Sequence, residues 1–204
     1  NPYRANPSSV LGTNYIAPIT MATAYAGIAN NGLACSPIAI DKVLNSDGTE
    51  HAVPKSVCSS TPIDPNVAAA AIFALQGVLR GGGTAASANP GDGIPIFGKT
   101  GTTDNSQENW LVTSTTKIAQ ATWVGNVQGN VALRSQSFQG IGGGNVKFAI
   151  VKPIAQALNA VYGGGAFASP GSKYLNAPVA PRPANPAVPG QPTAPGNGKA
   201  KKAG

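Results

Sequence analysis

The stretch IPIFGKTGTT at residues 94–103 decides the fold. Its apolar start predicts a β-strand that runs into Lys99. Because side chains alternate between the two faces of a strand, Lys99 and Gly101 are expected on one face and Thr100 and Thr102 on the other. A ligand can lie against the backbone at a glycine, which has no side chain. The combination of a cation, hydroxyls and a glycine therefore suits a site that binds a carboxylate.

The backbone of this stretch predicts a second property of the site. If the strand lies at the edge of its sheet, the N–H groups beyond Gly101 are free to donate into a cleft. Acyl-transfer enzymes need such a donor for the negative oxygen of their tetrahedral intermediate. Lys99 adds positive potential for a terminal carboxylate and can assist proton transfer, and the hydroxyls of Thr100 and Thr102 can hydrogen-bond the same carboxylate.

The surrounding sequence predicts an antiparallel sheet with helices packed on it. Two more strands follow at residues 110–113 and 118–125, and their short connections indicate a meander. Start and stop signals predict three helices, at residues 18–29, 64–79 and 152–162. A further strand pair is expected at residues 38–44 and 51–53, around an Asp-Gly turn. The fold class is thus α/β in the loose sense, that is α+β.

Charge and composition bound the class of protein. The 204 residues carry a net charge of +7, but the basic residues do not alternate with aromatics, which argues against nucleic-acid binding. No run of about 18 apolar residues occurs, so this part of the chain is not expected to span a membrane. Prolines recur from residue 177 onward. We therefore expect one domain over residues 1–170 and a disordered tail rich in Pro, Ala and Gly over 171–204.

The two cysteines, Cys35 and Cys58, allow two interpretations. They form a disulfide, which we favour, or they are two free buried thiols. Their spacing lacks the paired pattern of a zinc site, and the single His51 could not complete one, so no metal or other cofactor is expected. A disulfide would place the chain outside the cytoplasm.

Residues 93–100 also match the phosphate-binding pattern G-x-x-x-x-G-K-[ST]. The four residues between these glycines are bulky and strand-like, whereas a phosphate cradle needs a small, flexible loop. Gly101 and the Thr102-Thr103 pair also disfavour a helix start at Thr100. Nucleotide binding therefore stays only a remote alternative.

Several segments together resemble one known family. The Lys-Thr-Gly run resembles the box of the penicillin-binding transpeptidases, and the ordered series of segments from Pro7 to Tyr162 looks like the second half of the class A penicillin-binding proteins. These segments are residues 11–12, 18–26, 29–32 and 37–38, then 78–85, 98–104, 109–111 and 121–125. The Pro-rich basic tail and the Ala/Gly-rich usage are similar to actinobacterial, including mycobacterial, members.

The resemblance implies the C-terminal part of a D,D-transpeptidase domain with the fold of the serine β-lactamases and penicillin-binding proteins. In that family a serine attacks the D-Ala-D-Ala end of a peptidoglycan stem peptide and releases D-alanine. An amine of a neighbouring stem peptide then takes the acyl group, and β-lactams trap the same serine. The resemblance also implies a place on the outer face of the cell membrane, anchored by a segment that this sequence does not contain.

Residue roles follow from the same resemblance. Lys99 would supply electrostatics and proton transfer, and the backbone N–H of Thr102 would be one oxyanion donor. The substrate or drug would be bound by Thr100, Gly101, Thr102 and Thr103. The expected partners are stem peptides, β-lactams and the upstream part of the same protein. A non-catalytic penicillin-binding-like interaction module is the main alternative.

The chain departs from the family pattern at the nucleophile. The family has Ser-x-x-Lys and then Ser-x-Asn upstream of the box. Residues 114–117 match the first pattern, but they follow the box and lie where a turn is predicted. Residues 87–89 match the second pattern, but they lie in the loop directly before the box. We therefore expect no nucleophile in this chain and place the serine, with its partners, in sequence before Asn1.

Overall fold

The computed structural model describes residues 6–176. Its centre is a three-stranded antiparallel sheet in the order β3–β4–β5. The strands are β3 Phe97–Thr102, β4 Glu108–Ser114 and β5 Ala119–Gly125. Gly101 lies opposite Trp110, which in turn lies opposite Trp123. The predicted meander is therefore confirmed, and β3, which carries the Lys-Thr-Gly run, is one of its two edge strands.

Helices cover both faces of this sheet. They are α1 Pro18–Ala29, α2 Pro65–Gln76 and α3 Val146–Tyr162, and the one-turn α4 Ser172–Leu175 packs on α2. The predicted starts of α1 and α2 are correct. Pro18 occupies the first turn of α1, and the side chain of Asp64 caps α2 by accepting hydrogen bonds from the N–H groups of Asn66 and Val67.

The predicted end of α2 at Leu79 is wrong. The helix ends at Gln76, and the N–H groups of Val78 and Leu79 then donate to carbonyls only three residues back. Such bonds are a tightened last turn that closes the helix. The turn directs Leu79 into the core, where it is almost completely buried.

The predicted start of α3 at residues 152–153 is also wrong, because the helix begins at Val146 and contains Pro153 in its interior. A proline there removes one backbone hydrogen bond. Residues 147, 151, 155 and 159 recur every four positions and are all buried against the sheet side of the molecule. Packing of this face, with Val151 fully buried, outweighs the preference of proline for the first turn of a helix.

The strand pair near the disulfide is shorter than predicted. Only β1 Val43–Leu44 and β2 Glu50–His51 pair, instead of residues 38–44 and 51–53. Both strands are exposed on both faces, so no buried surface stabilises a longer ladder. Cys35 and Cys58 form the expected disulfide at the base of this hairpin, with an S–S distance of 2.06 Å.

A second small hairpin was not predicted. It pairs β6 Ser137–Phe138 with β7 Ile141–Gly142. The two residues between the strands, Gln139 and Gly140, both have positive φ angles of 50° and 81°. Two successive positive φ angles are typical of the tightest hairpin turns.

The core lies between the sheet, α3 and the segment that follows α2. It consists of Leu79, Ala85, Ala88, Ile96, Leu111 and Val151. On the opposite face, α1 is held by an aromatic contact: the ring of Tyr25 stacks on Phe97 with centroids 5.7 Å apart, and Phe97 meets Phe167 edge-on. The helices α1 and α3 therefore pack on opposite faces of the sheet.

Two further sequence-based expectations concern membrane-spanning helices and the C-terminal tail. No helix within the described residues is long and apolar enough to cross a membrane. Of the predicted tail 171–204, only residues 171–176 are described, and they include α4. Residues 177–204 lie outside the described part, so the division at residue 170 stays a prediction.

Candidate active site at the open edge of the sheet

The pairing of β3 with β4 fixes which backbone groups face the open edge. Thr103, one residue beyond β3, donates its N–H to the carbonyl oxygen of Glu108 at 3.1 Å, so this N–H points towards β4. In an antiparallel pair, successive residues alternate between groups that point to the partner strand and groups that point away. The N–H of Thr102 therefore points outward, away from β4, and the N–H and carbonyl groups of Gly101 point inward, towards β4. This orientation is the one that an oxyanion donor at Thr102 requires.

Lys99 lies at the same open edge. Its side chain is exposed, and Nζ donates to the carbonyl oxygen of Thr100 at 2.9 Å. Within residues 6–176 the recorded ion pair is that of Lys42 with Glu50, so no described carboxylate neutralises Lys99. An unneutralised ammonium beside outward N–H groups attracts an anionic ligand.

A cleft of about 550 Å³ lies against this edge, between the sheet and the segment that leads into α1. Its lining is mostly apolar and aromatic, with few polar groups. The lining residues are Leu11, Gly12, Asn14, Tyr15, Ile16, Ala17, Met21, Tyr25, Lys99, Thr100, Gly101, Thr102, Thr103, Glu108, Trp110, Val112 and Trp123. An apolar concavity with a small number of convergent polar groups is typical of ligand sites.

Gly98, directly before the box, and Gly101, within it, both lie close to β4. A Cβ atom on Gly98 would lie 2.5 Å from the carbonyl oxygen of Val112, and one on Gly101 would lie 3.2 Å from Cβ of Trp110. The first distance excludes a side chain, and the second allows one only if Trp110 moves. Gly101 thus keeps the backbone beside the cleft bare, as the sequence predicts.

The threonine hydroxyls point away from Lys99, in agreement with the predicted alternation. Oγ1 of Thr100 lies 3.1 Å from Oγ1 of Thr84. Oγ1 of Thr102 donates to Oδ1 of Asn109 at 3.0 Å. The structure therefore brings the Lys99 ammonium and the Thr102 N–H to one edge, while these two hydroxyls have protein partners across the strand.

The hydroxyl of Thr103 closes the β3–β4 turn. Its oxygen accepts hydrogen bonds from the N–H groups of Gln107 at 3.0 Å and Glu108 at 3.1 Å. Thr103 also lines the cleft. Its contribution to the site includes fixing the turn beside Thr102.

One polar residue near the box was missed by the sequence reasoning. Lys147, in the first turn of α3, is only 3% exposed, and its Nζ lies 3.2 Å from Oγ1 of Thr102 and 3.1 Å from Oδ1 of Asn109. Burial lowers its pKa below the usual value, and the nearby positive charges of Arg134 and Lys99 lower it further. Four-residue spacing from Val151 would have placed it on the inner face, had the helix start been recognised.

The two misleading motif matches are structural. Ser114 is 2% exposed, and its hydroxyl lies 2.9 Å from the carbonyl oxygen of Thr115 and 3.0 Å from that of Ile118. Lys117 is exposed on the turn between β4 and β5. In the other match, the amide of Asn89 donates to the carbonyl oxygen of Leu79. Neither match lines the cleft.

The phosphate-loop alternative lacks the required geometry. Residues Phe97–Thr102 are a strand, and the chain turns after it into β4 rather than into a helix. As for metals, no group of three or more His, Cys, Asp or Glu residues within 6–176 could hold an ion. The site instead presents a cation, backbone donors and an apolar cleft.

Comparison with known proteins agrees with this geometry. The family described as the penicillin binding protein transpeptidase domain matches residues 7–155. A curated relative, penicillin-binding protein 1A of Clostridium acetobutylicum, is 33% identical over 142 residues, which are 69% of this chain and 17% of the relative. Penicillin-binding protein 1A of Aquifex aeolicus is 35% identical over 120 residues, 58% of this chain and 16% of the relative.

Solved structures give the same result. The penicillin-binding protein PonA1 of Mycobacterium tuberculosis superposes with a TM-score of 0.72 and 27% identity, over 93% of this chain and 49% of that one. The PonA1 structure in complex with penicillin V has a TM-score of 0.70, over 87% and 47%. The expected likeness to mycobacterial members is confirmed. The chain spans about a sixth of the curated relatives and half of the solved chain.

Proposed function

The chain belongs to the penicillin-binding protein transpeptidase family, and on this premise we propose that it forms one wall of a D,D-transpeptidase site that cross-links peptidoglycan stem peptides. The observation that supports this proposal most is the open edge of β3, where the Lys99 ammonium and the outward N–H of Thr102 border a cleft of about 550 Å³. Other parts of a longer protein complete the site.

The ammonium of Lys99 accounts for recognition of the donor peptide. A stem peptide that ends in D-Ala-D-Ala carries a free carboxylate, which Lys99 attracts while remaining free of any described carboxylate partner. The hydroxyl of Thr100 reaches the same carboxylate only by rotating about its Cα–Cβ bond towards the open edge, which breaks its contact with Thr84. The hydroxyl of Thr102 can do so only by giving up Asn109, so Thr100 is the better candidate.

The first chemical step forms an acyl-enzyme. A serine oxygen adds to the carbonyl carbon between the two D-alanines, and the serine proton is passed to the nitrogen of the leaving D-alanine. The carbonyl oxygen becomes negative in the tetrahedral intermediate, and the Thr102 N–H stabilises it by donating a hydrogen bond. Collapse of the intermediate breaks the C–N bond, releases D-alanine and leaves an ester.

The second step transfers the acyl group. An amine of a neighbouring stem peptide adds to the ester carbon, the serine oxygen leaves with a proton, and an amide cross-link results. A β-lactam uses the same path for the first step, because its ring carbonyl and carboxylate imitate the donor. Binding of penicillin V by the similar PonA1 of M. tuberculosis supports this part of the proposal.

The nucleophile belongs, in this proposal, to sequence that precedes the chain. Ser114 has its hydroxyl bonded to two backbone carbonyls in a buried turn, so it cannot attack a ligand in the cleft. The apolar cleft wall formed by Met21, Trp110 and Trp123 gives the serine-bearing segment a surface to pack on. The whole protein then acts outside the cytoplasm, which the disulfide favours.

A fluorescent penicillin tests the proposal on the longer protein that contains this chain. The protein is incubated with the probe, denatured and run on a gel, with one sample pre-treated with unlabelled penicillin V. We expect a covalent band that the pre-treatment abolishes. A protein that folds, as shown by cooperative melting, and yet takes no label would overturn the enzymatic proposal and favour the interaction module.

A further inference from the structure

Lys147 is a buried cation next to the box, and α3 places it there. It shares the inward face of the helix with Val151, Ala155 and Asn159, and is only 3% exposed. Its Nζ lies 3.1 Å from Oδ1 of Asn109, whose side chain is also buried, while Thr102 beside it is exposed. The helix thus carries one charge to the inner side of β3 and β4.

This charge has no carboxylate partner within residues 6–176. The recorded ion pair of the described chain is Lys42 with Glu50, and the charged groups that act on Lys147 are two further cations, Arg134 and Lys99. A buried ammonium without a counter-charge costs stability, because the ion loses its hydration. A methionine would fill similar space without that cost. The contacts that offset this cost are the ring of Phe148, 5.2 Å from Nζ, and neutral oxygens of Thr102 and Asn109. Two of these three contacts lie at the box, so a role of the charge is to be sought there.

The contacts of Lys147 converge on one peptide unit. Its Nζ lies 3.4 Å from the carbonyl oxygen of Gly101 and 3.2 Å from Oγ1 of Thr102. The Gly101 carbonyl and the Thr102 N–H belong to the same peptide group and point in opposite directions. A cation on the carbonyl end polarises the group and makes the N–H at the open edge a stronger donor.

The same contacts also fix the orientation of this peptide. Thr102 lies directly opposite Asn109 across the two strands, and its hydroxyl donates to Oδ1 of Asn109 at 3.0 Å. Lys147 donates to that amide oxygen as well, so backbone and side chain of Thr102 are held from behind the sheet. The pairing of Gly101 with Trp110 holds this peptide on the β4 side only, and no strand of the described residues pairs with its outer side.

We propose that Lys147 is a positioning residue for the oxyanion donor: it orients and polarises the Gly101–Thr102 peptide from the buried face of β3, without touching the substrate. The inference rests on the proposed function, because it needs an oxyanion at the outer face. It predicts that the Lys147 charge contributes to the acylation rate and not to stability.

The test compares three variants of the longer protein. Lys147→Met removes the charge and keeps the volume, Lys147→Gln keeps a hydrogen-bond donor, and Lys152→Met removes an exposed lysine of the same helix as a control. Stopped-flow measurements with a chromogenic penicillin separate reversible binding from the acylation rate constant. Melting temperatures are measured without ligand.

We expect Lys147→Met to lower the acylation rate constant about tenfold, less than the 10²–10³ that outright loss of an oxyanion donor costs. Reversible binding stays unchanged, and the melting temperature is equal to or above that of the wild type. The acylation rate constant of Lys147→Gln lies between those of Lys147→Met and the wild type. Lys152→Met has the rate constant and melting temperature of the wild type.

An unchanged rate constant in Lys147→Met overturns the inference. So does a loss of rate that a fall in melting temperature accompanies, because the lysine is then structural. If Lys147→Met does not fold, Lys147→Gln decides by the same two readouts. A wild-type protein that takes no penicillin at all would instead contradict the proposed function, which is a separate result.

Discussion

Two regions of the central sheet each carry a lysine and hydroxyl side chains. One is the open edge of β3, and the other is the closed turn between β4 and β5. At the open edge, Lys99 is exposed beside the outward N–H of Thr102. At the turn between β4 and β5, Ser114 is buried with its hydroxyl bonded to backbone carbonyls, and Lys117 is exposed on the turn. The first region borders the cleft, and the second does not. Residue types alone therefore do not make this site.

The difference lies in the backbone. At the open edge the strand has no partner on its outer side within the described residues, so N–H groups remain available to a ligand. At the turn, the Thr115 N–H donates to the Ile118 carbonyl, which closes the hairpin. A Ser-x-x-Lys pattern in a closed hairpin has neither an accessible hydroxyl nor donors for a substrate.

The largest effect is expected from Lys99→Ala. Loss of the ammonium removes attraction for the ligand carboxylate, and we expect the second-order rate of penicillin acylation to fall roughly 100-fold, about 3 kcal/mol, which is within the cost of losing one partner of a bound charge pair. The melting temperature should stay the same, because the side chain is exposed.

The matched control for this variant is Lys117→Ala, which removes an exposed lysine from the other region. It should acylate at the wild-type rate. Equal losses in the two variants would mean that only the net charge matters and would remove the distinction between the two regions.

The next effect is expected from Gly101→Ala. The new Cβ would lie 3.2 Å from Cβ of Trp110, so Trp110 must move, at a cost of about 1–3 kcal/mol of unfolding free energy. Because Trp110 lies directly opposite Gly101, its displacement disturbs the neighbouring Thr102 N–H, and the acylation rate falls as well. Gly81→Ala, which meets no atom within 4 Å, is the control and should change neither quantity. A Gly101→Ala protein with wild-type stability and rate would contradict the packing at the edge.

Ser114→Ala should lower stability and leave the acylation rate unchanged, the opposite of Lys99→Ala. Removal of a buried hydroxyl that bonds to backbone carbonyls costs about 1 kcal/mol of unfolding free energy. Chemical denaturation measures that loss, while penicillin acylation should remain at the wild-type rate. Abolished acylation in a folded Ser114→Ala protein would identify this serine as functional.

The smallest effect is a pH dependence at Lys147. Burial lowers the pKa of this lysine in the folded protein, so between that pKa and about 10.5 the unfolded chain binds more protons. Stability of the wild type therefore rises with pH in this window, relative to Lys147→Met. Melting temperatures of both proteins, measured from neutral pH up to about pH 10.5, should converge with increasing pH. A difference that grows with pH would mean that the folded state favours the charged lysine.

Much of the fold could be predicted because its signals are local. The Asp64-Pro65 pair marks a helix start whether or not anything packs on it. The short links between β3, β4 and β5 leave little alternative to a meander. The start of α3 could not be predicted in the same way, because Pro153 is a local signal for a start and burial of Val151 against the sheet overrides it.

In the site, too, only the features that depend on local sequence could be predicted. Lys99 and Gly101 could be placed on one face of the strand from alternation alone, and the hydroxyls of Thr100 and Thr102 bond to Thr84 and Asn109 as that alternation requires. The contacts of Thr102 could not be predicted, because Asn109 and Lys147 reach it only through strand register and helix packing. The roles assigned to the individual box residues stay proposals.

The most direct test is to locate the penicillin adduct in the longer protein. The acylated protein is digested, and mass spectrometry identifies the peptide that carries the added mass of the drug. We expect an adduct on a serine outside residues 1–204, with the peptides of this chain unmodified. An adduct on Ser114, or on any other serine of this chain, would contradict the claim that the chain supplies the binding wall and not the nucleophile.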